Sequence, residues 1–247
     1  MLNFTKKPDP VDNPEIFQIE KFSFKSDSLF QGLPTADLAE LEQNMTIQKY
    51  RKGQVIFVEN TFPAGIFYLK KGRIKKYKTD REGREHILYI CNEDELLGYS
   101  AILCDEAFPD SASTIVESVV GFIPKDIFLK VISQSSILSN RLLKNLSHEF
   151  GVLVNSNASF LHKPVKERLA LTLLILNEKF REKENLDENI PVEIILSRKD
   201  LSGMTGAAVE TLVRLLKQFK AGGLIEVQGR KILITDAKKL EKIANYI

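Results

Sequence analysis

The stretch Ser197–Thr235, "SRKDLSGMTGAAVETLVRLLKQFKAGGLIEVQGRKILIT", carries three changes of local pattern in 39 residues. Ser197 is a good N-cap for a helix beginning at Arg198, and Asp200 in its first turn suits the helix dipole. This helix is expected to reach about Met204, and Gly206 supplies the turn after it. A second helix is expected from about Ala208 to Ala221, ending at Gly222-Gly223. Within it Leu212, Leu215, Leu216 and Phe219 recur at i, i+3, i+4 and i+7, which is one buried face. "LIEV", "QGR" and "KILIT" then read as a hairpin with Gly229 and Arg230 at its tip. Two helices joined by a short Gly-containing turn and followed by a hairpin make a winged helix-turn-helix.

The residues opposite the leucine face are Glu210, Val213, Arg214 and Lys217, with Val209 at the start of the helix. An arginine here can give two hydrogen bonds to guanine O6 and N7, and a glutamate can accept from cytosine N4. A recognition helix reaches base edges through its N-terminal residues, where Glu210 and Arg214 lie. Arg198, Thr211, Lys217 and Arg230 are placed for phosphates, which position a protein on DNA without specifying sequence. The competing reading is an i,i+4 Glu–Arg pair on a solvated helix, worth only about 0.2–0.5 kcal/mol. Charge favours the nucleic-acid reading: residues 197–247 hold 10 Lys+Arg against 5 Asp+Glu, while residues 1–162 hold 19 against 21. A basic C-terminal segment in a chain of net charge +2 points to a polyanionic partner.

Upstream, residues 45–123 read as strands and turns. "MTIQKY", "QVIFV", "GIFYLKKGRIKKYKT", "EHILYI" and "SASTIVESVVGFI" are β-branched or aromatic runs, with Gly53, Gly65, Gly72, Gly83 and Gly121 beside or between them. Many short strands at such spacing suggest a sandwich or barrel. In "RIKKYK" the lysines are expected to solvate one wet face. After Pro124 the alternation stops. Leu142, Leu146, Leu153 and Phe160 form a stripe of period 3.5 in a helix expected over 139–161, and a second copy of the chain is the natural partner for it. Pro164 disfavours continuation of that helix and suits the first turn of the next. The expected domains are a loose Pro- and Asp-rich tail over 1–24, a β-domain over 25–137, a dimerisation helix over 138–162 and a DNA-binding domain over 163–247.

Several function classes are excluded or disfavoured. The longest apolar run, "LALTLLIL", is far short of the ~18–20 residues of a membrane span, and no signal segment is seen, so a cytoplasmic location is expected. Two cysteines, Cys91 and Cys104, exclude a four-cysteine zinc or iron–sulfur site within one chain and read as small buried thiols. His86 is the sole histidine of the β-region, so a cupin-like metalloenzyme lacks its ligands, and His86, His148 and His162 stand in no haem-ligand motif. No HExxH, Walker lysine motif or Cys–His nucleophile arrangement appears. No catalytic residue, and no metal site, is expected. A β-roll signalling protein without DNA contact is the other rival, and the Glu210/Arg214 face argues against it.

The Ser197–Ile234 segment resembles the DNA-binding domain of the CRP/FNR superfamily of bacterial transcription regulators. "VETLVRLL" is similar to the Val-Glu-Thr-x-Ser-Arg recognition pattern of its FNR-like branch, with Val213 in place of the serine. "FYLKKGRIKKYKTDREGREHILYI" resembles its effector-binding β-roll, and "KPVKERLALTLLIL" the segment after its dimerisation helix. The resemblance covers roughly residues 25–235. It implies an α+β chain: an N-terminal double-stranded β-helix of the jelly-roll, cyclic-nucleotide-binding type, then a long dimer helix, then the winged helix-turn-helix. It further implies a homodimer on double-stranded DNA, with Glu210 and Arg214 reading a TGA-type core in each palindromic half-site and RNA polymerase as a partner. Val213, and Val209 where the cAMP-responsive branch has arginine, leave the outer bases open. In that branch a Gly-Glu and an Arg-Ser hold the ribose and cyclic phosphate. Here Gly98 and Ser111 are kept, but Tyr99 and Asp110 replace the glutamate and the arginine. The phosphate would lose its charge-assisted partner and meet a carboxylate, which argues against cyclic-nucleotide binding and leaves the effector unknown.

Overall fold

The computed structural model describes residues 18–24, 29–184 and 190–244. A 3-10 turn, Ile19–Lys21, leads into the N-terminal domain. There α1 (Thr35–Gln43) precedes β1 (Thr46–Tyr50), β2 (Val55–Phe57), β3 (Gly65–Lys71), β4 (Ile74–Thr79), β5 (Glu85–Cys91) and β6 (Leu96–Leu97). Next come α2 (Tyr99–Cys104), β7 (Ser111–Thr114), β8 (Ser118–Pro124) and α3 (Lys125–Gln134). The strands form two four-stranded antiparallel sheets, ordered β1-β8-β3-β6 and β2-β7-β4-β5. β-Branched and aromatic residues alternate across them, and Phe57, Leu69, Ile74, Leu97, Phe108 and Val120 fill the space between.

The long helix α4 runs Ser136–His162, capped by Ser135, whose Oγ accepts from Leu138 N–H. Pro164 then opens α5 (Val165–Glu184). The C-terminal domain continues with β9 (Ile194–Ile195), α6 (Arg198–Thr205), α7 (Val209–Ala221), β10 (Ile225–Gln228), β11 (Lys231–Ile234) and α8 (Ala237–Ala244). β10, β11 and β9 make a small antiparallel sheet. α8 was not among the elements expected from sequence. Its signals are Asp236, whose carboxylate accepts from Lys239 N–H at 3.0 Å, and the buried pair Leu240 and Ala244. The C-terminal core crosses the domain line, because Ile90 and Ile115 of the β-roll pack into the cluster built on Leu169, Leu173, Phe180 and Phe219.

Four expectations change. Residues 1–17 lie outside the described residues, but 18–24 are packed rather than loose. Phe24 is buried against Tyr89 with ring centroids 4.9 Å apart, and Lys179 Nζ donates to the Phe24 carbonyl at 2.7 Å. The lysines of "RIKKYK" do not line a wet face: Lys75 and Lys76 are buried, and of the three only Lys78 is exposed. Cys91 is a buried thiol, but Cys104 is exposed.

The fourth concerns α4. Leu142 is only 2% exposed and packs into its own β-roll, with Leu146 half-buried beside it. Phe160 is taken up by His86, edge-on at 4.6 Å, and by the Arg168 guanidinium at 5.2 Å. Leu153 is 37% exposed at the edge of this packing. The stripe expected to pair with a second copy is therefore mostly spent within the chain. A different stripe of the same period faces outward: Leu143, Ser147, Phe150, Val154, Asn157 and Leu161 are all exposed. Phe150 and Leu161 are 70% and 71% exposed. Sequence periodicity alone could not separate the two, since both repeat every 3.5 residues and lie one position apart.

Candidate nucleic-acid interface

α6 starts where Ser197 Oγ accepts from Asp200 N–H at 3.0 Å, and it ends at Gly206 in the left-handed conformation, φ +60°. A Cβ at Gly206 would also meet the Phe160 ring at 2.7 Å, so glycine suits the turn on both counts. α7 then buries Leu212, Leu215, Leu216 and Phe219. Burial of this face fixes the rotation of α7 and leaves Val209, Glu210, Arg214 and Lys217 exposed and Thr211 and Val213 half-buried. Among the described residues no salt bridge joins Glu210 to Arg214, so both charged heads present their full hydrogen-bonding capacity to whatever meets this face.

Arg230 is exposed at the hairpin tip. Arg198 also acts within the domain, where its Nη2 donates to the Gly229 carbonyl at 2.8 Å and braces the tip of the wing against the first helix of the motif. Burial lowers its guanidinium pKa, and its buried Nη1 has no partner among the described residues. The first helix is also docked on the β-roll. Lys75 Nζ sits between Asp200 (2.7 Å) and Glu85, Lys199 reaches Glu85 at 3.3 Å, and the His86 ring Nδ1 lies 3.2 Å from the Gly203 carbonyl. Burial pushes the His86 pKa down, aided by the nearby Arg168 charge and opposed by that backbone contact.

The four residues proposed for an effector site are all engaged structurally. Gly98 has φ +81°, and a Cβ there would strike Phe108 at 2.8 Å. Ser111 Oγ accepts from Glu59 N–H at 3.0 Å. Asp110 pairs with Lys76 Nζ at 3.0 Å, and Tyr99 donates to Glu149 Oε2 at 3.0 Å. Lys76 also reaches Glu149 at 3.3 Å and Tyr89 Oη at 2.8 Å, and Tyr89 donates to Glu149. These groups form one buried network joining the roll to the long helix. Burial raises the Asp110 pKa against the pull of Lys76. The lysine stays charged, because the Glu149 and Asp110 carboxylates outweigh its desolvation. Lys76 and Glu149 were not legible as members, because a lysine in a strand and a glutamate in a helical stripe reveal nothing of each other in sequence. Among the described residues no group of three or more His, Cys, Asp or Glu could hold a metal.

A β-roll joined by a long helix to a winged helix-turn-helix defines a DNA-binding regulator. Residues 47–135 match the cyclic nucleotide-binding domain family and residues 167–243 the Crp-like helix-turn-helix domain family. The chain belongs to the CRP/FNR superfamily of transcription regulators. It is 25% identical over 216 residues, 87% of this chain and 96% of the relative, to the CRP-like cAMP-activated global transcriptional regulator of Mycobacterium tuberculosis. It is 26% identical over 213 residues, 86% of this chain and 84% of the relative, to the fumarate and nitrate reduction regulatory protein of Vibrio cholerae. Its fold is shared with FixK2 from Bradyrhizobium japonicum, with TM-score 0.70 and 21% identity, covering 81% of this chain and 96% of that one. A crp/fnr-family regulator from Eubacterium rectale gives TM-score 0.68 and 24% identity, covering 88% and 97%. Among the described residues no helix is long and apolar enough to cross a membrane.

Proposed function

We propose that the protein regulates transcription as a homodimer that reads palindromic DNA, with Glu210 and Arg214 at the core of each TGA-containing half-site. The observation that supports this is the exposed, unbridged Glu210/Arg214 pair at the N-terminal end of an α7 whose opposite face is buried. Lys217, Thr211 and Arg230 flank it as phosphate contacts, and Arg198 supports the wing. Val209 and Val213 offer only apolar contact, suited to a thymine methyl. Two copies would address half-sites about one helical turn, ~34 Å, apart. The outward stripe Leu143–Phe150–Val154–Leu161 is the proposed seam between copies, replacing the inward one. With DNA and RNA polymerase as its partners, the protein would act in the cytoplasm.

The roll is proposed to answer to something other than a cyclic nucleotide. In the relatives named for cAMP activation that ligand is the activator; here Asp110 and Tyr99 are tied to Lys76 and Glu149. Selection of bound duplexes from a random pool tests the DNA reading. A recovered palindrome with TGA half-sites is expected, and recovery of no consensus would reject it.

A further inference from the structure

Between the β-roll and the DNA-binding domain lies a cavity of about 490 Å³, within the roughly 300–1,000 Å³ of small-molecule sites. It borders the network around Glu149 at Tyr89, which lines it. Its walls come from β5, the C-terminal part of α4, α5, Met204 of α6, and the segment Phe22–Phe24. Leu88, Phe160, Leu171 and Ile175 make it largely apolar.

Two polar groups on the wall are incompletely used. Ser23 is 3% exposed and its hydroxyl has no hydrogen-bond partner among the described residues, although buried hydroxyls normally have one. Arg168 gives its hydrogen bonds to the backbone carbonyls of Thr205 (2.9 Å), Lys163 (2.8 Å) and Phe160 (3.5 Å). Among the described residues no carboxylate lies within ion-pair distance of it. A half-buried guanidinium facing an apolar cavity without a counter-charge is the complement of an apolar anion.

The geometry points to this cavity as a binding site for a small amphipathic carboxylate, its chain or ring among Leu88, Leu171 and Ile175 and its head at Arg168, with Ser23 supplying a further hydrogen bond. Such a ligand touches the roll, the long helix and the DNA-binding domain together. Its affinity therefore depends on how the two domains are placed, and by linkage DNA would alter that affinity by the same factor by which the ligand alters DNA binding. That coupling rests on the DNA reading above, whereas the binding itself does not.

The test uses the full-length protein without DNA, so that failure to bind DNA leaves it intact. 1-Anilinonaphthalene-8-sulfonate, an apolar body with an anionic head, is titrated by fluorescence, then displaced with decanoate or with 1-decanol. One saturable site per chain is expected, with decanoate displacing at least ~10-fold more effectively than the alcohol, as one charge-assisted contact allows. Ile175→Trp, which fills the cavity, should abolish displaceable binding. Arg168→Gln should weaken decanoate while leaving decanol unchanged. Thermal unfolding of each variant separates loss of the site from loss of the fold, and the decanoate–decanol comparison on the unaltered chain needs no variant. Equal displacement by acid and alcohol would overturn the anionic class. Binding that survives Ile175→Trp in a folded variant, or no saturable binding at all, would overturn the site. A change in sedimenting mass on Ile175→Trp without ligand binding would assign the groove to a second copy and overturn it as well.

Discussion

The outer face of α7 and the interior of the β-roll both pair a glutamate with a basic residue, and they do opposite things with it. Glu210 and Arg214 are exposed and unbridged, so their hydrogen-bonding capacity is directed outward. Glu149 and Lys76 are buried and share their charges with Asp110, Tyr89 and Tyr99, so theirs is consumed within the chain. A charge in water interacts weakly with its neighbour, and the same charge out of water must be matched or it destabilises the fold. The outer face of α7 is therefore built from groups left unmatched. The interior of the roll is built from groups already matched.

This contrast breaks most visibly at Lys76. Lys76→Met should leave Asp110 and Glu149 facing each other with no cation, at a cost of about 3–5 kcal/mol in urea unfolding. A loss below ~1 kcal/mol would mean the interior charges were never matched through this lysine. Next in size is the outward seam of α4. Phe150→Glu together with Val154→Glu removes apolar burial of about 1.5–3 kcal/mol for each large side chain and should give monomers by sedimentation at unchanged secondary structure. A dimer that persists would move the interface elsewhere. On the output side, Arg214→Ala should cost about 1–3 kcal/mol on the selected site and relax preference at one guanine. Equal loss on every sequence in a gel-shift series would turn Arg214 into a phosphate contact. Lys217→Ala should weaken binding to all sequences and flatten the log–log salt slope by about 0.9, and an unchanged slope would remove it from the backbone contacts.

Smallest is an acid effect where the two domains meet. Burial tends to raise the Asp200 pKa, but hydrogen bonds from Lys75 and Ser197 and the Lys75 and Lys199 charges bring it below the ordinary value. A depressed carboxylate contributes stability above its unfolded pKa of about 3.9 and loses it as pH falls through the folded value. Asp200→Asn should therefore flatten the stability–pH curve below about pH 4, and a curve unchanged by the substitution would remove the Lys75–Asp200 contact from the docking.

The recognition motif was legible because its determinants are local. Ser197, Gly206, the four-residue apolar face of α7 and Gly229 act within a few positions of one another. The roll was legible as a class through its strand runs. What escaped was whatever depends on distant partners. Lys75 and Lys76 read as solvated, and only the fold brings Asp200, Asp110 and Glu149 to them. The inward and outward stripes of α4 share a period, so only packing against the roll shows which is which. Phe24 read as tail, yet it is held by Tyr89 and by Lys179 from α5.

That one-position offset along α4 makes the helix a matter of phase as much as of composition. Each residue of an α-helix turns about 100° from the last. Deleting a single residue ahead of Glu149 would carry Phe150 into the slot where the Glu149 carboxylate meets Lys76. The same slip would bring Gly151, Asn155 and His162 to the outward slots of Phe150, Val154 and Leu161. One deletion, altering no other side chain, would thus strip the charge match from the interior and the apolar seam from the outside together. The length of α4 is tied to both surfaces at once, so it should tolerate insertions only in steps of about seven residues, two full turns, that restore both faces.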